Sequence, residues 1–403
     1  MKFIKAYFAI LLVLVGCTTS DDGPSDKDLG LDRALETTEA KTMVATNNEF
    51  ALDFFKEIAT TEAAENYMVS PLSLSLALGM TYNGADGDTK AAFGDVLGYA
   101  DVDAANSFNK KLIKSLTASG SGAVLNLAQA IWIKDDFPVE ADFVTTNQNF
   151  YDAEVGNLDF EDPKAVDVVN SWAYDHTKGK IDKYIDSFEP NTVLFLANAL
   201  YFKGTWKFEF DPSDTRQAAF HASLSETVQV PMMFMNATVP YFTNEMFSSI
   251  ILPYKNDRYE MLLFLPHEGF STTDIVSELN MENLKNWLDS YSKSGLAIQL
   301  PKFKLEYKRE LNEELTNMGL GVAFSNTADF GKINKQAALR ISKVLQKTFI
   351  EVNEEGTEAA AVTSVEIGLT STGATFIADH PFLYMIRDSY TGSICIMGRI
   401  GKP

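Results

Sequence analysis

The chain has 403 residues, 46% of them hydrophobic and 22% charged, with a formal charge of −21 from 34 basic and 55 acidic side chains. That apolar content excludes a wholly disordered chain, and the acid excess argues against a nucleic-acid partner, whose phosphates call for clustered Lys and Arg. Only four histidines occur, His176, His221, His267 and His380, none at metal-ligand spacing from another or from a cysteine, so neither a metal site nor a cofactor is expected.

Lys2 and Lys5 open the chain and an apolar run from Ala6 to Val15 follows. Its length is about half of the roughly twenty residues that a membrane-spanning helix needs. Residues 1–16 therefore read as an export signal. Leu14-Val15-Gly16-Cys17 resembles a bacterial lipobox, where the signal is cut before the cysteine and the thiol is acylated. The alternative is an ordinary secretory signal with an incidental cysteine. Under the first reading Cys17 anchors an exported lipoprotein of the bacterial envelope, at the outer membrane or cell surface. Residues 18–40, rich in Thr, Ser, Asp and Gly, then read as a flexible tether, and residues 17–46 as lipidated cysteine plus tether. Cys395 sits in the apolar run Ile394–Met397 and reads as a small buried core residue.

From residue 47 to 403 helix and strand signals alternate without a linker or an internal repeat, which points to one mixed domain. Asn48 precedes a helix whose Phe50, Phe54, Phe55 and Ile58 share a face. Ser70-Pro71 reads as an N-cap with proline at the first helical position, opening a helix to Leu78. Asp162-Pro163 repeats that logic, with Val166, Val169 and Ala173 as the apolar stripe and Gly179 as the stop. Strand-like runs are Ala123–Ile133, Val193–Phe202, Ile250–Leu265, Leu296–Leu305 and Val344–Val352. Enzyme signatures are missing: there is no G-x-S-x-G, H-E-x-x-H or P-loop, and Gly319 and Gly321 lack the third glycine of G-x-G-x-x-G. The chain is not read as an enzyme.

The informative stretch is 351–375. One alternate set, Thr357, Ala359, Ala361, Thr363, Val365 and Ile367, is small or apolar; the other, Glu358, Ala360, Val362, Ser364, Glu366 and Gly368, carries both charges. Such a segment fits a sheet with its first set buried. Gly368-Leu369-Thr370-Ser371-Thr372-Gly373-Ala374 then has the composition of an exposed loop. By itself this is compatible with a permanent strand and a surface turn, or with a strand-competent segment that starts outside the sheet.

Several motifs, in order, resemble those of the serpins. They are Asn66-Tyr67-Met68-Val69-Ser70-Pro71-Leu72-Ser73, Asn198-Ala199-Leu200-Tyr201-Phe202-Lys203-Gly204-Thr205-Trp206, Val230-Pro231-Met232-Met233, Leu300-Pro301-Lys302-Phe303 and Phe376-Ile377-Ala378-Asp379-His380-Pro381-Phe382-Leu383-Tyr384-Met385-Ile386. The resemblance implies a single α+β domain of about eight or nine helices and three β-sheets, with a large central sheet and an exposed reactive-centre loop over about 356–375. It implies a monomeric protease inhibitor. The loop is offered as bait, and after cleavage it enters the central sheet as a new strand and carries the acylated protease to the far pole.

In this sequence the hinge of that loop maps onto Glu354, Gly356, Thr357, Glu358, Ala359, Ala360 and Ala361, whose small residues match the inhibitory pattern. The family's spacing puts the cut between Thr370 and Ser371, or, one residue earlier, between Leu369 and Thr370. Thr370 suits elastase-like or subtilisin-like serine proteases, Leu369 suits chymotrypsin-like ones, and Leu369 ahead of Thr370 suits papain-like cysteine proteases. The family's shutter maps onto Ser70, Ser73 and Asn198, with Gln346 where the family has histidine. Its breach maps onto Trp206, Lys302 and Glu354. Lys110, Lys111 and Lys114 fall where some members bind a polyanion, but on so acidic a chain they read as a solvated face. The alternatives are a non-inhibitory binding protein of the same fold and a decoy substrate that is cut and released.

Overall fold

A computed structural model describes residues 33–118, 122–190, 192–255, 257–357 and 374–403. The first helix, α1 (Thr38–Thr61), starts well before the expected boundary at 47, with Thr37 capping it by accepting a hydrogen bond from the Ala40 N–H. Leu35, Ala40 and Val44 are buried, so the packed body reaches back into the stretch that composition assigned to the tether. Polar composition misleads there because a single stripe, which includes Ala40 and Val44, is enough to seat an amphipathic helix.

Helix α2 (Pro71–Tyr82) is capped by Ser70 and buried nearly all round, as its run of Leu, Ser and Ala requires of a central helix. Then follow α3 (Gly87–Leu97), α4 (Val102–Leu116), α5 (Ala141–Tyr151), α6 (Lys164–His176), α7 (Thr272–Glu278) and α8 (Met281–Asp289). A bent helix closes the series, with α9 (Asn312–Leu315) and α10 (Gly321–Phe324) joined through a π-turn in which Gly319 has φ 113°. Gly79 lets α5 lie against α2, since a Cβ there would stand 2.6 Å from the Tyr151 hydroxyl.

The strands are β1 (Tyr67–Val69), β2 (Ala123–Lys134), β3 (Glu154–Leu158), β4 (Leu194–Thr205), β5 (Arg216–His221), β6 (Thr227–Thr243), β7 (Phe247–Pro253), β8 (Tyr259–Pro266), β9 (Ser292–Pro301), β10 (Phe303–Glu310), β11 (Leu345–Asn353), β12 (Gly356–Thr357), β13 (Ala374–Ile377), β14 (Phe382–Asp388) and β15 (Ile394–Ile400). One sheet runs β10-β11-β12-β4-β2-β3. The other runs β1-β15-β14-β8-β7-β6-β9-β13, with β5 paired to β6. The strands expected in three sheets thus form two hydrogen-bonded networks, because the long β6 pairs with β5, β7 and β9 at once.

Two runs read as single strands prove to be pairs. Ile250–Leu265 folds into the β7–β8 hairpin, turning after Pro253 with Asp257 in the left-handed region at φ 56°. Leu296–Leu305 is cut at Lys302, where the chain leaves one sheet and enters the other. Cys395 is fully buried, and burial pushes its thiol up, so it stays protonated. Among the described residues no helix is long and apolar enough to cross a membrane, and no three His, Cys, Asp or Glu side chains converge on a metal position.

Candidate functional site: a two-residue wedge between β4 and β11

The short strand β12 is the centre of the site. Val352 and Asn353 of β11 pair with Thr357 and Gly356, which in turn pair with Gly204 and Thr205 of β4. Among the described residues these two are the only ones that join β4 to β11 in the sheet. The segment that alternation marked as strand-competent therefore begins already seated between two strands.

Close packing fixes the residue types at the wedge. Gly356 has φ 151°, and a Cβ on it would stand 2.0 Å from the Gly204 carbonyl oxygen, so only glycine fits. Thr357 is 1% exposed, and its hydroxyl shares a 2.7 Å hydrogen bond with the Tyr254 hydroxyl. Tyr254 stacks on Trp206 at 4.6 Å and crowds Gly204, where a Cβ would be 2.4 Å from its ring. Burial raises the Tyr254 phenol, which remains protonated. Sequence reasoning missed Tyr254, since an aromatic inside an apolar run carries no mark that sets it apart from core.

Above the wedge, Trp206 donates from Nε1 to the Asn353 carbonyl at 3.1 Å, and its main-chain N–H donates to the Glu355 carbonyl at 2.8 Å. Lys302, placed at the sheet-to-sheet crossing, lies 2.8 Å from Glu354, which also accepts from the Thr215 hydroxyl at 2.8 Å. The three breach residues thus come together. Burial alone would raise the Glu354 carboxyl, but the Lys302 and Thr215 bonds outweigh it and hold it below the ordinary carboxylate range. A carboxyl lowered on folding adds stability that is present above its unfolded value and is lost as pH falls through the folded one. The melting temperature should therefore drop as pH is taken from 5 to 3, and Glu354→Gln should flatten part of that limb in a pH series of thermal melts.

The expected shutter assembles differently. Gln346 clips the start of α2 with two bonds, accepting from the Ser70 N–H and donating to the Ser70 carbonyl, both at 2.9 Å. Ser70 Oγ donates to the Cys395 carbonyl at 2.8 Å and accepts from the Ser73 N–H at 3.2 Å. Asn198 does not join these serines. Its amide donates to Gln129 Oε1 on β2, the residue directly opposite in register. Gln129 is marked in the sequence only as an amide inside the apolar run Ala123–Ile133. Among the described residues Asn198 Oδ1 and Gln129 Nε2 have no hydrogen-bond partner. Ser73, Asn198 and Gln346 line one cavity of about 750 Å³, which also borders Leu74, Tyr184 and Leu345.

The remaining hinge positions Glu358, Ala359, Ala360 and Ala361, the bait positions Leu369, Thr370 and Ser371, and Cys17 lie outside the described residues. The far end of the loop returns as β13, parallel to β9, and leads into Asp379 and His380.

Comparison with known proteins adds four findings to this geometry. The family described as serpin (serine protease inhibitor) matches residues 45–403. A leukocyte elastase inhibitor of Bos taurus is 33% identical over 375 residues, covering 89% of this chain and 99% of its own. Among solved structures, the native state of the thermophilic serpin tengpin superposes with a TM-score of 0.84 at 30% identity, covering 90% of this chain and 94% of that one. Human thyroxine-binding globulin complexed with thyroxine superposes at 0.85 and 28% identity, covering 91% of this chain and 100% of that one.

Proposed function

Given that this chain belongs to the serpin family, we propose that it is an irreversible suicide-substrate inhibitor of serine endopeptidases, and also of papain-like cysteine endopeptidases, acting as a monomer. The observation that carries the reading is the wedge: Gly356 and Thr357 already pair with both β11 and β4, so a cleaved loop has a seeded track to follow. The protease attacks the bond after Thr370, or after Leu369, and forms an ester or thioester to that residue, releasing the amine of the next. The freed segment then extends β12 down the sheet. Fourteen residues from Thr357 to Thr370 span ~46 Å at ~3.3 Å per residue, which carries the acylated protease to the opposite end of the domain. Tension on the acyl group pulls nucleophile and oxyanion donors out of register, and displaced catalytic groups lose rate steeply, so hydrolysis stalls.

The bovine relative is named for inhibition of leukocyte elastase, and Thr370 suits a shallow pocket of that type. Mixing the protein with pancreatic elastase and running a denaturing gel tests the reading: an SDS-stable complex is expected, whereas a clipped band alone would make it a decoy substrate. The proposal extends to an exported lipoprotein of the bacterial envelope, held through an acylated Cys17. Cys17→Ser should leave trapping intact and move the protein from the membrane pellet to the soluble fraction on ultracentrifugation.

A further inference from the structure

The connection from α6 to β4, residues 177–190, crosses the face of the six-stranded sheet and is held down at several points. Asn170 of α6 accepts from the N–H groups of Tyr184 and Ile185 at 2.7 and 2.9 Å and donates to the Ile185 carbonyl at 3.0 Å. Lys347 of β11 donates to the Lys183 carbonyl at 2.7 Å, and Lys308 of β10 meets Asp186 at 2.7 Å. The strap holds Tyr184, 2% exposed, in the same buried apolar cluster as Ala197, Ala199, Val169 and Ala173. From there the Tyr184 hydroxyl reaches the Asn198 carbonyl of β4 at 3.2 Å and the Leu345 carbonyl of β11 at 3.3 Å.

Those two carbonyls face the open side of their strands. Residues of an antiparallel strand direct both main-chain groups alternately to one neighbour and the other. Thr205 donates its N–H towards the β2 side, to Gly122, so Gly204 and, by parity, Asn198 face away from β2. The Val344 carbonyl accepts from Leu311 at the start of the β10 side, so Leu345 faces away from β10. Both acceptors point into the interval between β4 and β11. Continuing the register in which Thr357 sits opposite Gly204 and Val352 brings Thr363 opposite Asn198 and Ser364 opposite Leu345. An entering strand would aim the Thr363 N–H at the Asn198 carbonyl and the Ser364 N–H at the Leu345 carbonyl. Those are the two acceptors that the phenol now occupies.

We propose that Tyr184 is a gate pin for the insertion step: its hydroxyl ties β4 to β11 at the level of Thr363 and Ser364, and must swing out before the cleaved loop passes that level. The inference rests on the inhibitory reading above. It places a barrier ~20 Å along the path, six residues beyond Thr357 at ~3.3 Å each, less than half of the full travel. Burial raises the phenol to about 12, so the pin keeps its proton at working pH.

Tyr184→Phe keeps the ring and removes only the hydroxyl. Intact and loop-cleaved forms of wild type and variant are melted side by side, and insertion after cleavage is timed with an environment-sensitive dye on a cysteine introduced at Ser364. A pin that acts only before insertion predicts an intact variant melting ~2 °C lower, a cleaved variant melting with cleaved wild type, and insertion ~fivefold faster, as suits the loss of one shared hydrogen bond. Equal lowering of both forms would make Tyr184 an ordinary structural contact, and an unchanged insertion rate beside a normal wild-type gain on cleavage would remove the pin alone. Cleaved wild type melting no higher than intact wild type would remove the inhibitory reading and the pin with it.

Discussion

Thr357→Arg should convert the protein from a trap into a substrate, with the SDS-stable complex falling at least ~tenfold and a clipped product taking its place. The residue is 1% exposed between β4 and β11 and shares a hydrogen bond with the hydroxyl of Tyr254, whose ring stacks on Trp206. A guanidinium placed there would lose its water, and Glu354 is already engaged by Lys302 and Thr215. The penalty of several kcal/mol falls on the inserted state, and each ~1.4 kcal/mol on the insertion step slows it tenfold relative to deacylation. Because Thr357 is already inside the sheet of the uncleaved protein, the variant should also lose β12 pairing before any protease is met. Thr357→Ser, which keeps the hydroxyl for Tyr254, should still trap. Undiminished complex formation by the arginine variant would contradict the role given to the wedge.

Cleavage of the loop should raise the melting temperature by on the order of 20 °C. A strand entering between β4 and β11 has neighbours on both edges, so nearly every one of its main-chain groups finds a partner. After the ordering cost of roughly 1–2 kcal/mol per residue is set against about two hydrogen bonds per residue and the burial of its small apolar face, a net gain of roughly 10 kcal/mol remains. For a domain of this size a kilocalorie shifts the midpoint by about 2 °C. Differential scanning calorimetry before and after limited proteolysis measures the shift, and an unchanged midpoint would mean that the cut loop stays outside the sheet. The gain belongs to the sheet and does not require a protease to be attached, which separates it from the trapping assay.

How much of this was legible beforehand differs from element to element. The N-cap at Ser70-Pro71 was readable because capping chemistry is local, and in the structure Ser70 Oγ accepts from the Ser73 N–H; the second helix starts one residue later than Asp162-Pro163 implied, at Lys164, whose N–H donates to Asp162. Thr357 was readable as an inward-facing strand position because alternation of small residues shows which face of a strand is to be buried, and in the structure it is buried between β4 and β11. The hairpin inside Ile250–Leu265 and the crossing at Lys302 were not, because an apolar run gives no sign of where the chain turns from one layer to the next. Pro253 and Asp257 were the available signals for the first of these.

Composition and local pattern alone pointed to one mixed domain, gave 357–367 the alternation expected of a strand with a small inner face, and showed no familiar catalytic motif. Which atoms tie the sheet together was decided only by folding. Asn198 turned to Gln129 because register set them side by side, Gln346 reached Ser70 across 276 positions of sequence, and Tyr184 came to lie between two strands 14 and 161 positions away. Hydrogen bonds are directional and short, so partners distant in the chain are chosen by how layers pack, and no local spacing rule encodes them.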